Sequence, residues 1–242
     1  MRHAMICEIG KVRKINQDAV FAASCKEAGL FAVADGMGGH SQGERASQLI
    51  IRKMAQWWEA FHPEKYGGQF AQMMHGLQQA AEQANQEIYE AYNRQAVCGS
   101  TMALLFIWQN SYGMIFAGDS RIYLYHRRKF RQMTVDEVWE NQPDLTPWER
   151  EQHWERCHGR LYNAVGIQKE LRCSVVTGEL TYGMVFLLCS DGLYKYCPWQ
   201  YLKKYMRKAG KAENPQFVTE DLRNRVYESE ARDNISAILV AV

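Results

Sequence analysis

Short apolar or alternating runs recur at 19–24, 30–34, 101–108, 112–117, 121–125, 172–180, 184–189 and 235–242, and each has the length and period of a β-strand. Between the second and third runs the period changes. Ala46, Leu49, Ile50, Met54, Trp57 and Phe61 recur at three- and four-residue steps, as do Phe70, Met73, Met74, Leu77, Ala81, Ala84 and Ile88, so each stretch gives a helix one apolar face. His62-Pro63 and Gly67-Gly68 part the stretches, which predicts an antiparallel helix pair whose stripes belong to the core. Pro198 and Pro215 stand at the start of two further helices, 199–208 and 216–227. Grouped strands interrupted by paired helices predict a layered α+β domain with mostly antiparallel sheets and helices on their faces. Segment 134–170 departs from both periods: it is polar, carries Trp139, Trp148 and Trp154, and has one short helical stretch around 147–156. It reads as an inserted lobe, either a lid beside a site or a plain surface excursion. No linker, repeat or low-complexity tract divides the chain, so 1–242 is expected to be a single domain.

Composition excludes several classes. The formal net charge of +2, from 29 basic and 27 acidic residues, lacks the basic footprint of a nucleic-acid binder. Two basic runs, Arg127-Arg128-Lys129 with Arg131 at an expected hairpin turn and Lys203-Lys204 with Arg207-Lys208-Lys211 on an expected helix, read as solvated faces. Seven cysteines without a C-x-x-C pair give neither a disulfide framework nor a zinc site, and fit a reducing cytosol. The first residues lack the apolar core of a signal peptide and no run reaches the ~18 residues of a membrane span. A soluble, cytoplasmic protein with no membrane partner is expected, monomeric by default.

The chemistry collects at aspartates. An apolar run ends in Asp plus a small residue at Asp35-Gly36, Asp119-Ser120 and Asp191-Gly192, and Asp233-Asn234 stands just before the last strand. If the strands of Asp191 and Asp233 run antiparallel, those two share an edge. Converging carboxylates repel, so such a cluster implies raised pKa values or bound cations. Oxygen-only ligands suit Mg²⁺ or Mn²⁺. Any single Asp-Gly or Asp-Ser is also an ordinary turn, and it is the repetition after apolar strands that favours cations. The glycine-rich Asp35-Gly36-Met37-Gly38-Gly39-His40 leaves a strand and enters the first long helix, where the Gly36 carbonyl can meet a metal and His40 the reacting group. Upstream, Arg13 can grip phosphate and Asp18 can join a metal shell, although an Arg and an Asp so close are often only a surface pair.

Taken in order, Gly10 to Asp18, Asp35 to His40, Gly99-Ser100-Thr101, Gly118-Asp119-Ser120-Arg121, Asn163-Ala164-Val165-Gly166, Ser190-Asp191-Gly192-Leu193 and Asp233-Asn234 resemble the type-2C family of metal-dependent Ser/Thr protein phosphatases, particularly its compact bacterial members. The resemblance spans nearly the whole chain. It implies a four-layer αββα sandwich, a central antiparallel β-sandwich flanked by antiparallel helix pairs, with a binuclear Mn²⁺ or Mg²⁺ centre at one end. In that reading Asp35 bridges both metals and Gly36 coordinates through its carbonyl. Asp191 and Asp233 complete one shell, Asp18 supports the centre, Asp119 helps bind a third, weaker metal, and Arg13 holds the substrate phosphate. The lobe at about 134–170 matches the family's flap. Phosphoproteins made by a Ser/Thr protein kinase, and the kinase itself, are the implied partners. Where many members carry Asn-Glu-Asp, this chain has Asn16-Gln17-Asp18.

The implied reaction is hydrolysis of phosphoserine and phosphothreonine esters by a metal-activated water, without a covalent phosphoenzyme. The leaving oxygen takes its proton from water or from His40, which otherwise is a structural histidine at a helix start. Two other readings compete. Gln17 leaves room for a non-catalytic regulatory or binding module of the same fold. Cys7 to Arg13 fits C-x-x-G-x-x-R, the anion loop of cysteine-dependent phosphatases, but lies at a ragged N-terminus rather than between a buried strand and a helix, with Glu8 disfavouring a thiolate.

Overall fold

The apolar runs form two antiparallel sheets in a computed structural model that describes residues 1–39, 42–92 and 97–242. One sheet comprises β1 (Arg2–Glu8), β7 (Arg121–His126), β8 (Lys129–Gln132), β10 (Val185–Cys189) and β11 (Ile235–Ala241), in the order β1-β11-β10-β7-β8. The other comprises β2 (Asp18–Ser24), β3 (Ala28–Met37), β5 (Met102–Trp108), β6 (Ser111–Ala117) and β9 (Ser174–Glu179), in the order β2-β3-β5-β6-β9, with β4 (Gly99–Ser100) paired to the end of β3.

Side-chain alternation splits each central strand between two cores. Phe31, Val33, Leu105, Phe186, Leu188 and Ile238 meet between the sheets. Leu30, Ala32, Leu104 and Phe106 face away from them, against Ile50 and Met54 of α1 (Gln42–Glu59) and Met73, Leu77 and Ile88 of α2 (Phe70–Tyr92). Leu187, Cys189 and Leu239 likewise pack on Leu202 and Met206 of α5 (Trp199–Ala209) and Leu222 and Val226 of α6 (Gln216–Tyr227). Each of the larger of these side chains, the Leu, Ile, Val, Phe and Met, stabilises the fold by ~1.5–3 kcal/mol before entropy is charged against it. The result is the four-layer αββα sandwich expected from the sequence, and the continuous apolar runs are explained by burial on both faces.

Three local features differ from the sequence reading. The N-terminus is not ragged: residues 2–8 form β1, an edge strand whose inward positions Ala4 and Ile6 are buried while Met5 is exposed. Only two buried positions, one of them an alanine, framed by Arg2, His3 and Glu8 and interrupted by the exposed Met5, leave too weak an alternation to recognise. β3 continues through Asp35 to Met37, because Gly36 and Met37 pair with β4, so Asp35 lies within a strand rather than beyond its tip. Only part of 134–170 projects from the body. Thr134, Glu137, Val138, Asn163, Ala164 and Val165 are buried, Val138 bridges Leu161, and Val165 pairs with Ser100. The excursion between them carries α3 (Pro147–Cys157), started by a capping box in which the Glu149 N–H donates to Thr146 Oγ1 and the Thr146 N–H to Glu149 Oε2. No described helix is long and apolar enough to cross a membrane.

Candidate metal centre

Strand pairing decides where the aspartates go. β2 and β3 pair with Asp18 opposite Asp35, so two carboxylates are direct cross-strand neighbours, an arrangement that costs energy unless something offsets the charge. In the other sheet Cys189 pairs with Ala237 and with Arg121, so the chain leaving β10 toward Asp191, entering β11 from Asp233 and entering β7 from Asp119 does so at one edge. A cavity of about 490 Å³ opens there, and Arg13, Asp35, Gly36, Asp119, Asp191 and Asp233 all lie on its wall. Asp18 is buried behind them, 6% exposed. His40 lies outside the described residues.

The supports of this rim are hydrogen bonds between distant segments. Asn234, which the sequence reading used only as a signpost, donates to the carbonyls of Ile9 (3.0 Å) and Ile15 (3.1 Å) and accepts from the Gln17 N–H (2.9 Å), so it fixes the loop that carries Arg13 and Asp18. Ser190 Oγ donates to Asp18 Oδ2 at 2.7 Å and accepts from the Ser236 N–H at 3.1 Å. The Gly36 N–H donates to the Gln17 carbonyl at 3.0 Å, and a side chain at Gly36 would lie 2.1 Å from the Gly43 carbonyl oxygen, so glycine is required where α1 begins against the loop. Asp136 holds Arg121 in a bidentate pair, Arg121 stacks on the Tyr194 ring, and Tyr194 Oη donates to Asp119 Oδ2 at 3.3 Å. Glu137, also unforeseen, accepts from the Gly118 N–H, Asn163 and Ser174 and so fixes the turn before Asp119.

Two cations at the cavity were not foreseen. Lys195, one helical turn beyond Asp191 on α4 (Asp191–Tyr194) and its C-cap, donates to Asp191 Oδ2 at 2.6 Å. The i, i+4 spacing was a legible signal for it. Arg160, at the base of the excursion, also lines the cavity and had none. Arg13 donates to Asp233 Oδ2 at 2.8 Å, which raises its own pKa.

The electrostatics are those of a site short of positive charge. Burial first, then Asp18, Asp191, Asp119 and Asp233, holds the Asp35 carboxyl well above the ordinary range. Burial also pushes Asp18 up to about 6 against the hydrogen bond from Ser190, and Asp119 up to about 6 against the pull of Lys195. Asp18 Oδ1 and Asp191 Oδ1 are buried with no hydrogen-bond partner. Unsatisfied carboxylate oxygens, mutual repulsion and an all-oxygen donor set fit hard divalent cations. Among the described residues no three His, Cys, Asp or Glu form a group able to hold an ion unaided. Mg²⁺-like ions need no such cage, since they take one or two carboxylates and fill the remaining positions with carbonyl oxygen and water.

The cysteine reading finds no such support. Burial, with Asp18 and Glu8 adding to it, pushes the Cys7 thiol up, and its sulfur accepts from Asn16 Nδ2 (3.3 Å) and Ser236 Oγ (3.4 Å) while Arg13 turns to Asp233. No anion loop forms.

The family model for protein phosphatase 2C matches residues 11–226. The chain belongs to that family. The serine/threonine protein phosphatase PstP of Mycobacterium tuberculosis is 31% identical over 197 residues, which is 80% of this chain and 36% of PstP, so the chain spans about a third of that relative's length. Among solved structures, PppA, described as a key regulatory component of the T6SS in Pseudomonas aeruginosa, is 27% identical with a TM-score of 0.81, covering 99% of this chain and 96% of its own. The catalytic domain of PstP in complex with two manganese ions is 26% identical with a TM-score of 0.77, covering 98% of this chain and 96% of its own.

Proposed function

We propose that this chain is a metal-dependent protein phosphatase that hydrolyses phosphoserine and phosphothreonine esters. The observation that carries the reading is the meeting, at one rim, of Asp18, Asp35, Asp119, Asp191 and Asp233 with two carboxylate oxygens left unsatisfied. Asp35, the Gly36 carbonyl, Asp191 and Asp233 would hold two Mn²⁺ or Mg²⁺ ions, with Asp18 behind them and Asp119 toward a third, weaker site. The two manganese ions of the PstP catalytic domain are the precedent for the pair. When bound, such ions lower the pKa of water toward neutrality and neutralise charge on phosphoryl oxygens.

The protein's own groups do the rest. Arg13, on the cavity wall with half its side chain exposed, orients the phosphate through guanidinium donors not engaged by Asp233. Ser190 and Asn234 keep Asp18 and the Arg13 loop in register, and Tyr194 keeps Asp119 turned inward. The leaving oxygen takes its proton from water or from His40. Residues 1–242 act as one catalytic domain, and the excursion within 134–170 acts as a flap whose base, at Gly159, Arg160 and Leu161, edges the cavity. The substrates are phosphoproteins of a Ser/Thr kinase and the kinase itself, met in the cytoplasm by a monomer, without nucleic acid or membrane.

The test is phosphate release from phosphothreonine, phosphoserine and phosphotyrosine peptides with Mn²⁺, with chelator, and after thiol alkylation. The reading expects turnover of the first two that chelator abolishes and alkylation spares. Activity that survives chelator but not alkylation restores the Cys7 mechanism, and Mn²⁺ binding without turnover restores the non-catalytic module.

A further inference from the structure

Two acid-free basic segments meet far from the metal rim. No Asp or Glu occurs in 120–135 or in 192–212. β7 leaves the rim at Arg121 and covers six residues, about 20 Å, before the turn at Arg127 and Arg128. Beside that turn lies α5, on which Lys203, Lys204 and Arg207 recur at helical steps, with Lys211 continuing the line, while Leu202, Met206 and Ala209 on the opposite side are buried in the core. Between turn and helix is a groove of about 910 Å³ into which all six cations are set.

Several cations elsewhere on the surface are offset by a neighbouring acid. Lys53, Lys195, Lys208, Arg223, Arg225 and Arg232 each have a carboxylate partner. Among the described residues, no ion pair or side-chain hydrogen bond engages any of the groove's six. They carry +6 in a chain whose formal net charge is +2, so the remainder is net acidic. Arg127 and Arg128 hold φ of 48° and 66°, the left-handed region in which a two-residue hairpin turn favours Asn-Gly, so the chain accepts a conformational cost to set two guanidinium groups there.

We propose that this groove docks an acidic, extended segment of a protein partner; that the partner is the phosphoprotein substrate rests on the phosphatase reading. The helix face from Gln200 to Lys211 is about 17 Å long, which about five residues of extended chain would span. Cations facing one another across a cleft suit a chain of peptide width. Because the groove lies about 20 Å from the rim, the acidic stretch must sit at least about six residues from the phosphorylated one.

The first test is fluorescence anisotropy of a labelled, unphosphorylated Glu-rich peptide with the full chain in chelator, which removes any contribution from bound metal. Lys203→Glu/Lys204→Glu/Arg207→Glu should weaken binding at least about tenfold. Arg127→Asn/Arg128→Gly, which gives the turn its favoured residues and cannot be blamed on misfolding, should weaken it severalfold, and binding should fall with salt. In turnover, a phosphothreonine peptide with a Glu-rich stretch about ten residues away should show a KM about tenfold higher in the triple variant with kcat unchanged, and a short phosphopeptide no change. Equal affinity in wild type and variants overturns the proposal, as does tighter binding of phosphatidylserine vesicles or a single-stranded oligonucleotide than of the Glu-rich peptide. Peptide binding as expected with no phosphate release from any substrate overturns the phosphatase reading and leaves the docking site standing.

Discussion

Asp18→Asn separates the cost of the acidic rim from its use. Asp18 is 6% exposed and pushed up to about 6 from 3.8, chiefly by burial and then by Asp191 and Asp233, against the hydrogen bond from Ser190. A carboxyl with a raised folded-state pKa binds its proton more tightly in the native chain than in the unfolded one. Its relative stabilisation is therefore complete below about pH 4 and is lost as pH rises through about 6. A shift of about two units corresponds to about 3 kcal/mol lost by neutral pH. The amide carries no charge, still accepts from Ser190, and places a donor where Asp18 Oδ1 is unsatisfied. Allowing ~1 kcal/mol for imperfect geometry, the metal-free variant should be about 2 kcal/mol more stable than the wild type at pH 7.5, or about 4–8 °C in Tm for a chain of this size. Near pH 4, where the carboxyl is protonated, only the geometric cost remains and the variant should fall below the wild type by up to ~1 kcal/mol. At pH 7.5 Mn²⁺ should reverse the order, because binding at 100 times Kd adds ~2.7 kcal/mol to the wild type and less to a variant that has lost a supporting charge. Thermal melts in chelator and in Mn²⁺, at both pH values, check this. A variant no more stable than wild type at pH 7.5 in chelator, or one with an undiminished Mn²⁺ shift, refutes the reasoning.

Two further substitutions probe the same rim. Lys195 is bonded to Asp191 Oδ2 at 2.6 Å with 56% of its side chain exposed, so the pair is worth no more than ~1 kcal/mol, and Lys195→Ala should tighten Mn²⁺ binding about three- to fivefold by calorimetry; weaker binding would contradict competition between the ammonium and the ion. Gly36→Ala places a methyl group 2.1 Å from the Gly43 carbonyl oxygen and 2.7 Å from that of Gln17, both backbone, and should cost about 3 kcal/mol or more in urea unfolding with chelator present, whereas an unchanged midpoint would deny the close approach.

Much of this site was legible because β-structure converts sequence order into position. Once 184–189 and 235–242 are strands of one antiparallel pair, Asp191 and Asp233 must share an edge, and the register Cys189↔Ala237 puts them there. Layering was legible for a related reason, since runs such as Leu30 to Ala34 are apolar at every position and only burial on both faces accounts for that. What escaped lacks such a pattern. β1 has only two buried positions, Ala4 and Ile6, and β8 is a four-residue edge strand that begins in a basic run. Asn234 and Glu137 act through hydrogen bonds to residues more than 200 and about 20 positions away, which no local period encodes. The basic runs were read one at a time as solvated faces, and only the fold shows that they border the same groove.

The account turns on the aspartates of the rim holding divalent cations together rather than merely shaping turns. Calorimetric titration of Mn²⁺ into the chelator-stripped chain, beside Asp35→Asn, measures this most directly. The account predicts two ions bound per wild-type chain and loss of tight binding of both in the variant, because Asp35 would be a ligand for both. Failure of the wild type to bind Mn²⁺, or unchanged stoichiometry and affinity in Asp35→Asn, would contradict it.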